Sequence, residues 1–162
     1  MADTPSVSFQ TCWKLLLINE GGFVVDNGGA TMWGVTEAVA RRHGYSGAMP
    51  DLPQSTAMAI AMAEYWLPWQ LDNLPTWAAF QILDFVYNGG PGYRDAQIVA
   101  GVMADGVPGP MTAAAIARMN PWEFVAKMTS ARLKYLASLK QPEYADGRMN
   151  RMAANLLQGG LQ

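Results

Sequence analysis

Apolar residues recur at helical spacing along most of the chain, and glycine and proline interrupt the recurrence. Phe9, Trp13, Leu16 and Leu17 fall on one face when successive residues turn by about 100°. This predicts a first helix over 6–20, with Glu20 continuing the apolar stripe and Gly21-Gly22 stopping it. Phe23-Val24-Val25 is β-prone. Asn27-Gly28 is a hairpin signal because both residues tolerate positive φ, and 30–35 is the predicted return strand. Thr36 reads as the N-cap of a helix through His43, and 44–53 as loop. A helix over 54–66 is stopped by Pro68, and Leu74-Pro75 opens another that runs to about Asn88. Gly89-Gly90-Pro91-Gly92 breaks the pattern sharply. Further helices are predicted over 93–103, 110–119, 121–139 and 143–157.

These elements predict a mainly α fold of the α+β kind: a helical bundle with one small β-hairpin lobe. The 162 residues fit a single domain, 1–162, large enough to bury a core without staples. Two lobes are expected within it: 1–74 holds Glu20 and the hairpin, and 75–162 is helical. The helix over 77–88 would lie between them, because it is apolar nearly all round. Trp13, Trp66, Trp69, Trp77 and Trp122 are expected in the core, and Cys12 as a small buried residue of the first helix.

Composition narrows the chemistry. No apolar run approaches the roughly 20 residues of a membrane span, and Met1-Ala2-Asp3-Thr4-Pro5 lacks the basic region of a secretory signal. The expectation is therefore synthesis in the cytoplasm, with release by some other device. One cysteine excludes an internal disulfide. One histidine excludes a Cys/His metal site, and no carboxylate cluster has ligand spacing, so no metal and no other cofactor is expected. A Ser-His-Asp triad would have to use His43, which sits beside Arg41 and Arg42 at what reads as a basic helix end. A net charge of −2 argues against nucleic acid as a partner. A monomer is expected.

Glu20 is the first candidate for chemistry. A carboxylate on an apolar stripe, at the negative end of a helix, has its charged form disfavoured, which raises its pKa and suits a general acid. The competing reading is a surface glutamate at a fraying helix end. Asp26 at the hairpin tip and Thr31 just beyond it add a second carboxylate and a hydroxyl, although Asp26 also reads as an ordinary turn residue. Trp33 is the best candidate for a platform under a sugar ring. Asp84 lies on an apolar face, with Gln81 and Asn88 beside it at helical spacing. It is either a buried aspartate held by Asn88, Arg148 or Arg151, or part of a cleft wall on which Gln81, Asp84 and Asn88 bind substrate.

Glu20-Gly21-Gly22, a short spacer, then Asp26-x-Gly28-Gly29-x-Thr31-x-x-Gly34-Val35-Thr36 resembles the N-terminal signature of glycoside hydrolase family 108. Tyr65-Trp66, Asp84-x-x-x-Asn88-x-Gly90, Asp105-Gly106-Val107-x-Gly109-Pro110-x-Thr112 and Gly147-Arg148-Met149-Asn150-Arg151 resemble later motifs of that family, in the same order. The spacer after Gly22 is shorter than usual, and Arg148 stands where a tryptophan is common. The resemblance implies a lysozyme-like fold and an N-acetylmuramidase that cleaves the β-1,4 bond between N-acetylmuramic acid and N-acetylglucosamine. It implies peptidoglycan glycan strands as partner and Glu20, Asp26 and Thr31 as the catalytic set. It tilts Asp84 toward the cleft wall and the 75–162 half toward peptidoglycan binding. A phage endolysin acting in the periplasm after release is the expected setting, with a secretion-associated muramidase beside it. The alternatives are a non-catalytic wall-binding or phage structural module, and a lytic transglycosylase.

Overall fold

The computed structural model describes residues 4–26 and 29–159, without the side chains of Asp26 and Glu143. Helix α1 (Val7–Asn19) starts where the Ser6 hydroxyl accepts from the Phe9 amide, and it buries Phe9, Cys12, Trp13 and Leu16. A three-stranded antiparallel sheet follows: β1 (Val24–Asp26), β2 (Gly29–Met32) and β3 (Val35–Thr36), in that order. Val24 pairs with Thr31, and Thr31 pairs with Thr36 on its other side. The expected hairpin tip, Asn27-Gly28, lies outside the described residues.

The sheet corrects the expectation of a single return strand. The chain turns again at Trp33-Gly34, with φ of 56° and 77°, and Met32 then pairs with Val35. Positive φ at both central residues gives a tight turn whose twist matches the strands. Glycine adopts this backbone freely, whereas tryptophan does so at a cost of order 1 kcal/mol and must be held there.

Helix α2 (Glu37–Arg42) is capped by Thr36, as expected. α3 (Gln54–Ala61) widens into a π-helical turn over Met62–Trp66 instead of continuing as an α-helix. α4 (Thr76–Tyr87) is central and is buried from Ala78 through Val86. It packs against α1, α5 (Gly92–Val99), α7 (Pro121–Ser138) and α8 (Ala145–Gly159). α6 (Pro110–Ala117) begins with proline at its first position. α5 stops short of the expected 103 because Gly101, at φ 69°, turns the chain: its amide bonds to Ile98 O and that of Val102 to Gln97 O. One core joins α1, the sheet, α3, α4 and α7, through Phe9, Val35, Ile60, Phe80, Leu83 and Phe124. Trp66 is fully buried, but Trp122 is 50% exposed at the start of α7, which corrects its expected place in the core. Among the described residues, no helix is long and apolar enough to cross a membrane.

Candidate active site

Glu20 caps α1. Its amide still bonds to Leu16 O, but its backbone is extended, with φ −92° and ψ 128°, so the chain leaves the helix at this residue. Its side chain is 11% exposed. Oε1 accepts from Arg151 Nη1 at 2.5 Å. Oε2 faces the Trp33-Gly34 turn: a Cβ built on Gly34 would stand 3.0 Å from it and 2.5 Å from Cε1 of Tyr87. Only glycine lets backbone, carboxyl and ring approach this closely.

That turn is pinned from two sides. The Tyr87 hydroxyl donates to Trp33 O at 2.9 Å, and the Trp33 indole donates to Leu52 O at 3.0 Å. Tyr87 also packs edge-on to Tyr65 and Trp13. Burial first, and then the charge of Glu20, push the Tyr87 phenol far above its usual range, so it remains a neutral donor.

Behind Glu20 lies a charge network that joins both halves of the chain. Arg151 Nη1 is also 3.4 Å from Asp84 Oδ1, and its Nη2 donates to Asn19 O at 3.1 Å. Asp84 is fully buried, and its Oδ2 accepts from Arg132 and from Asn155, the latter at 2.5 Å. Asn155 accepts from Asn19 through its side chain at 2.8 Å and from Gln81 through its carbonyl at 3.1 Å. Burial works against the charge of Arg151, but the hydrogen bond to Glu20 and the charge of Asp84 outweigh it and raise its pKa. For Arg132 burial prevails over Asp84 and lowers it.

The expected site residues are therefore divided. Glu20 sits in the site. The backbone of Asp26 closes β1 opposite Gly29, and its side chain lies outside the described residues. Thr31 is half-buried in the central strand, and Trp33 is half-buried with its polar atom engaged. Gln81 and Asp84 correct the cleft-wall expectation: both are buried, at 4% and 0% exposure, and bonded inward. Asn88 is exposed; its amide donates to Asp84 O at 2.8 Å. It lines an open cleft of about 640 Å³ with Asn19, Tyr144, Arg148, Asn150 and Arg151. The Arg151–Glu20 pair is absent from the expectations because it links positions 131 apart. The available signal was Arg151 and Asn155, polar at i and i+4 beside buried Met152 on the last helix. The Asp105–Thr112 motif forms a turn: Asp105 accepts from the Val107 amide at 2.9 Å and from Gln97 at 2.8 Å, which keeps its carboxyl below the usual range.

Residues 13–90 match the model of the family Glycosyl hydrolase 108. The structure of Brucella abortus SagA is similar over nearly the whole molecule, with TM-score 0.82 and 27% identity, covering 96% of this chain and 97% of that one. No curated protein matches the chain. The architecture is the lysozyme-like α+β fold. The matched segment runs from within α1, through Glu20 and the sheet, past the end of α4 to Gly90, and in these residues the chain is similar to glycosyl hydrolase family 108.

Proposed function

We propose that this glycoside hydrolase is an N-acetylmuramidase that cuts the β-1,4 bond between N-acetylmuramic acid and N-acetylglucosamine, with Glu20 as general acid. The observation that carries this reading is the seat of Glu20: a largely buried carboxyl at a helix end, tied on one oxygen and facing a glycine turn with the other. A glycosidase acid must place its proton on the leaving oxygen. Oε1 is engaged by Arg151, so in this reading Oε2, which faces the Trp33-Gly34 turn, is the oxygen that delivers the proton.

Asp26 is the second carboxylate in this reading, acting as base on a water that Thr31 helps to hold. This reading takes the inverting course, in which the two carboxyls stand about 6.5–9.5 Å apart to admit the water, over the retaining one at roughly 5–5.5 Å. Half-buried Trp33 offers its ring to a sugar, and Asn88 offers an amide to the substrate from the cleft beside Arg151. The biological setting we propose is lysis of a bacterial cell by a phage enzyme once the membrane has been opened.

Mass spectrometry of muropeptides after digestion of purified sacculi tests the activity. Reducing muramic ends are expected. Anhydro ends would make the protein a lytic transglycosylase, and intact glycan would make it a binder. Proton NMR of the first product, before mutarotation, tests the stereochemistry. An initial α-anomer is expected, whereas a β-anomer would remove Asp26 from the role of base.

A further inference from the structure

The cleft beside Glu20 has a chemistry that cutting a neutral glycan does not require. Two guanidiniums line it, Arg148 and Arg151, one helical turn apart on α8. The amides of Asn19, Asn88 and Asn150 and the ring of Tyr144 complete the wall. Arg148 is fixed in orientation: its guanidinium lies over the Tyr144 ring, 5.3 Å from the centroid, and its Nη2 donates to Gln141 Oε1 at 2.6 Å. A guanidinium held flat by an aromatic face is pre-organised for a planar oxyanion, because its remaining N–H groups point outward in a fixed fork. The cleft also adjoins the reacting centre, since Arg151 forms part of its wall and bonds to Glu20.

We propose that this cleft binds the carboxylate-bearing acyl-peptide of the muramic sugar, with Arg148 as the principal anion contact and Asn88 and Asn150 as hydrogen-bond partners to the peptide backbone. The proposal rests on the muramidase reading and gives it a specificity: the enzyme selects the sugar that carries a charged substituent and places its glycosidic bond at Glu20. A chain of N-acetylglucosamine alone has no group for this cleft.

Titration calorimetry of the wild-type protein with two matched disaccharides tests it. One is N-acetylglucosaminyl-N-acetylmuramyl-tetrapeptide and the other is N,N′-diacetylchitobiose. The muropeptide should bind more tightly by roughly tenfold or more, the scale of one charge-assisted hydrogen bond. Raising the salt should shrink that preference, because screening weakens exposed charge contacts. Arg148→Gln should remove most of the preference, and Arg148→Lys should restore part of it, a recovery that a purely structural role for Arg148 would not produce. Equal affinity for the two ligands, or a preference that survives in Arg148→Gln, would overturn the proposal. Neither ligand needs to be cleaved, so failure here is separate from failure of the muramidase reading, which is decided by the digestion of sacculi.

Discussion

Arg151 holds two carboxylates at once, Glu20 at the end of α1 and Asp84 in the middle of α4. Its effect on Glu20 is positional: it fixes Oε1 and so decides where Oε2 points. Arg151→Met should therefore lower kcat by about ten- to a hundredfold, the scale of a misplaced catalytic group, with a smaller change in KM. Arg151→Lys should recover part of kcat, and steady-state kinetics on soluble glycan strands would show the split. Asp84 has a different duty. It is the counter-charge of buried Arg132, so Asp84→Asn should destabilise the fold by about 3–5 kcal/mol in urea titration, as removal of one member of a buried pair does. A variant as stable as the wild type would mean that Arg132 finds another partner. The sequence showed that Asp84 had to be paired or open to water, and it named Arg151 among the partners. It did not show Arg132, because that residue looks like any other polar position of a long amphipathic helix.

At the scale of elements, the Trp33-Gly34 turn shapes the wall of the site. Gly34→Ala combines a left-handed backbone, which costs a residue with a side chain roughly 1–2 kcal/mol, with a Cβ that meets Tyr87 and Glu20. It should lower both thermal stability and turnover, and melting curves with activity assays on the same preparation would show whether both fall. The turn was hidden in the sequence because a tryptophan inside an apolar run reads as strand. The anchors of its indole and carbonyl, to Leu52 and Tyr87, hold it at positive φ. A second junction, between the end of α2 and the π turn, is ionic. Glu64 accepts from His43 at 2.7 Å and pairs with Arg42 at 3.1 Å. The hydrogen bonds from His43 and Arg42 hold its carboxyl below its usual 4.5. A carboxylate with a depressed folded pKa contributes stability above its unfolded value and loses it as the pH falls through the folded one. Glu64→Gln should therefore destabilise the protein at neutral pH, and the difference from the wild type should shrink progressively as the pH falls below the ordinary glutamate value of about 4.3. Parallel melting curves at all pH values would contradict this. The start of α2 was legible because a local cap sets it, at Thr36. The π turn was not, because nothing in Met62–Trp66 departs from helical spacing.

Across the whole molecule, the site is assembled from distant parts of the chain. Glu20 comes from the matched 13–90 segment, while Arg132, Arg151 and Asn155 come from α7 and α8, outside it. The N-terminal part of this assembly was readable, since the helix end, the glycines and the strand residues are neighbours in sequence. The contribution of α8 depends on tertiary packing over the length of the chain and carried only a faint pattern, a polar pair beside Met152. On the proposed function, this assembly makes Glu20 the acid of a glycan-cleaving enzyme. Glu20→Gln keeps the shape and the hydrogen bond to Arg151 but removes the transferable proton. The direct measurement is the rate at which wild type and Glu20→Gln release reducing ends from purified sacculi, at matched concentration and with melting temperatures recorded. A loss of about a hundredfold or more is expected in a variant that remains folded. A folded Glu20→Gln protein that releases reducing ends at close to the wild-type rate would contradict it.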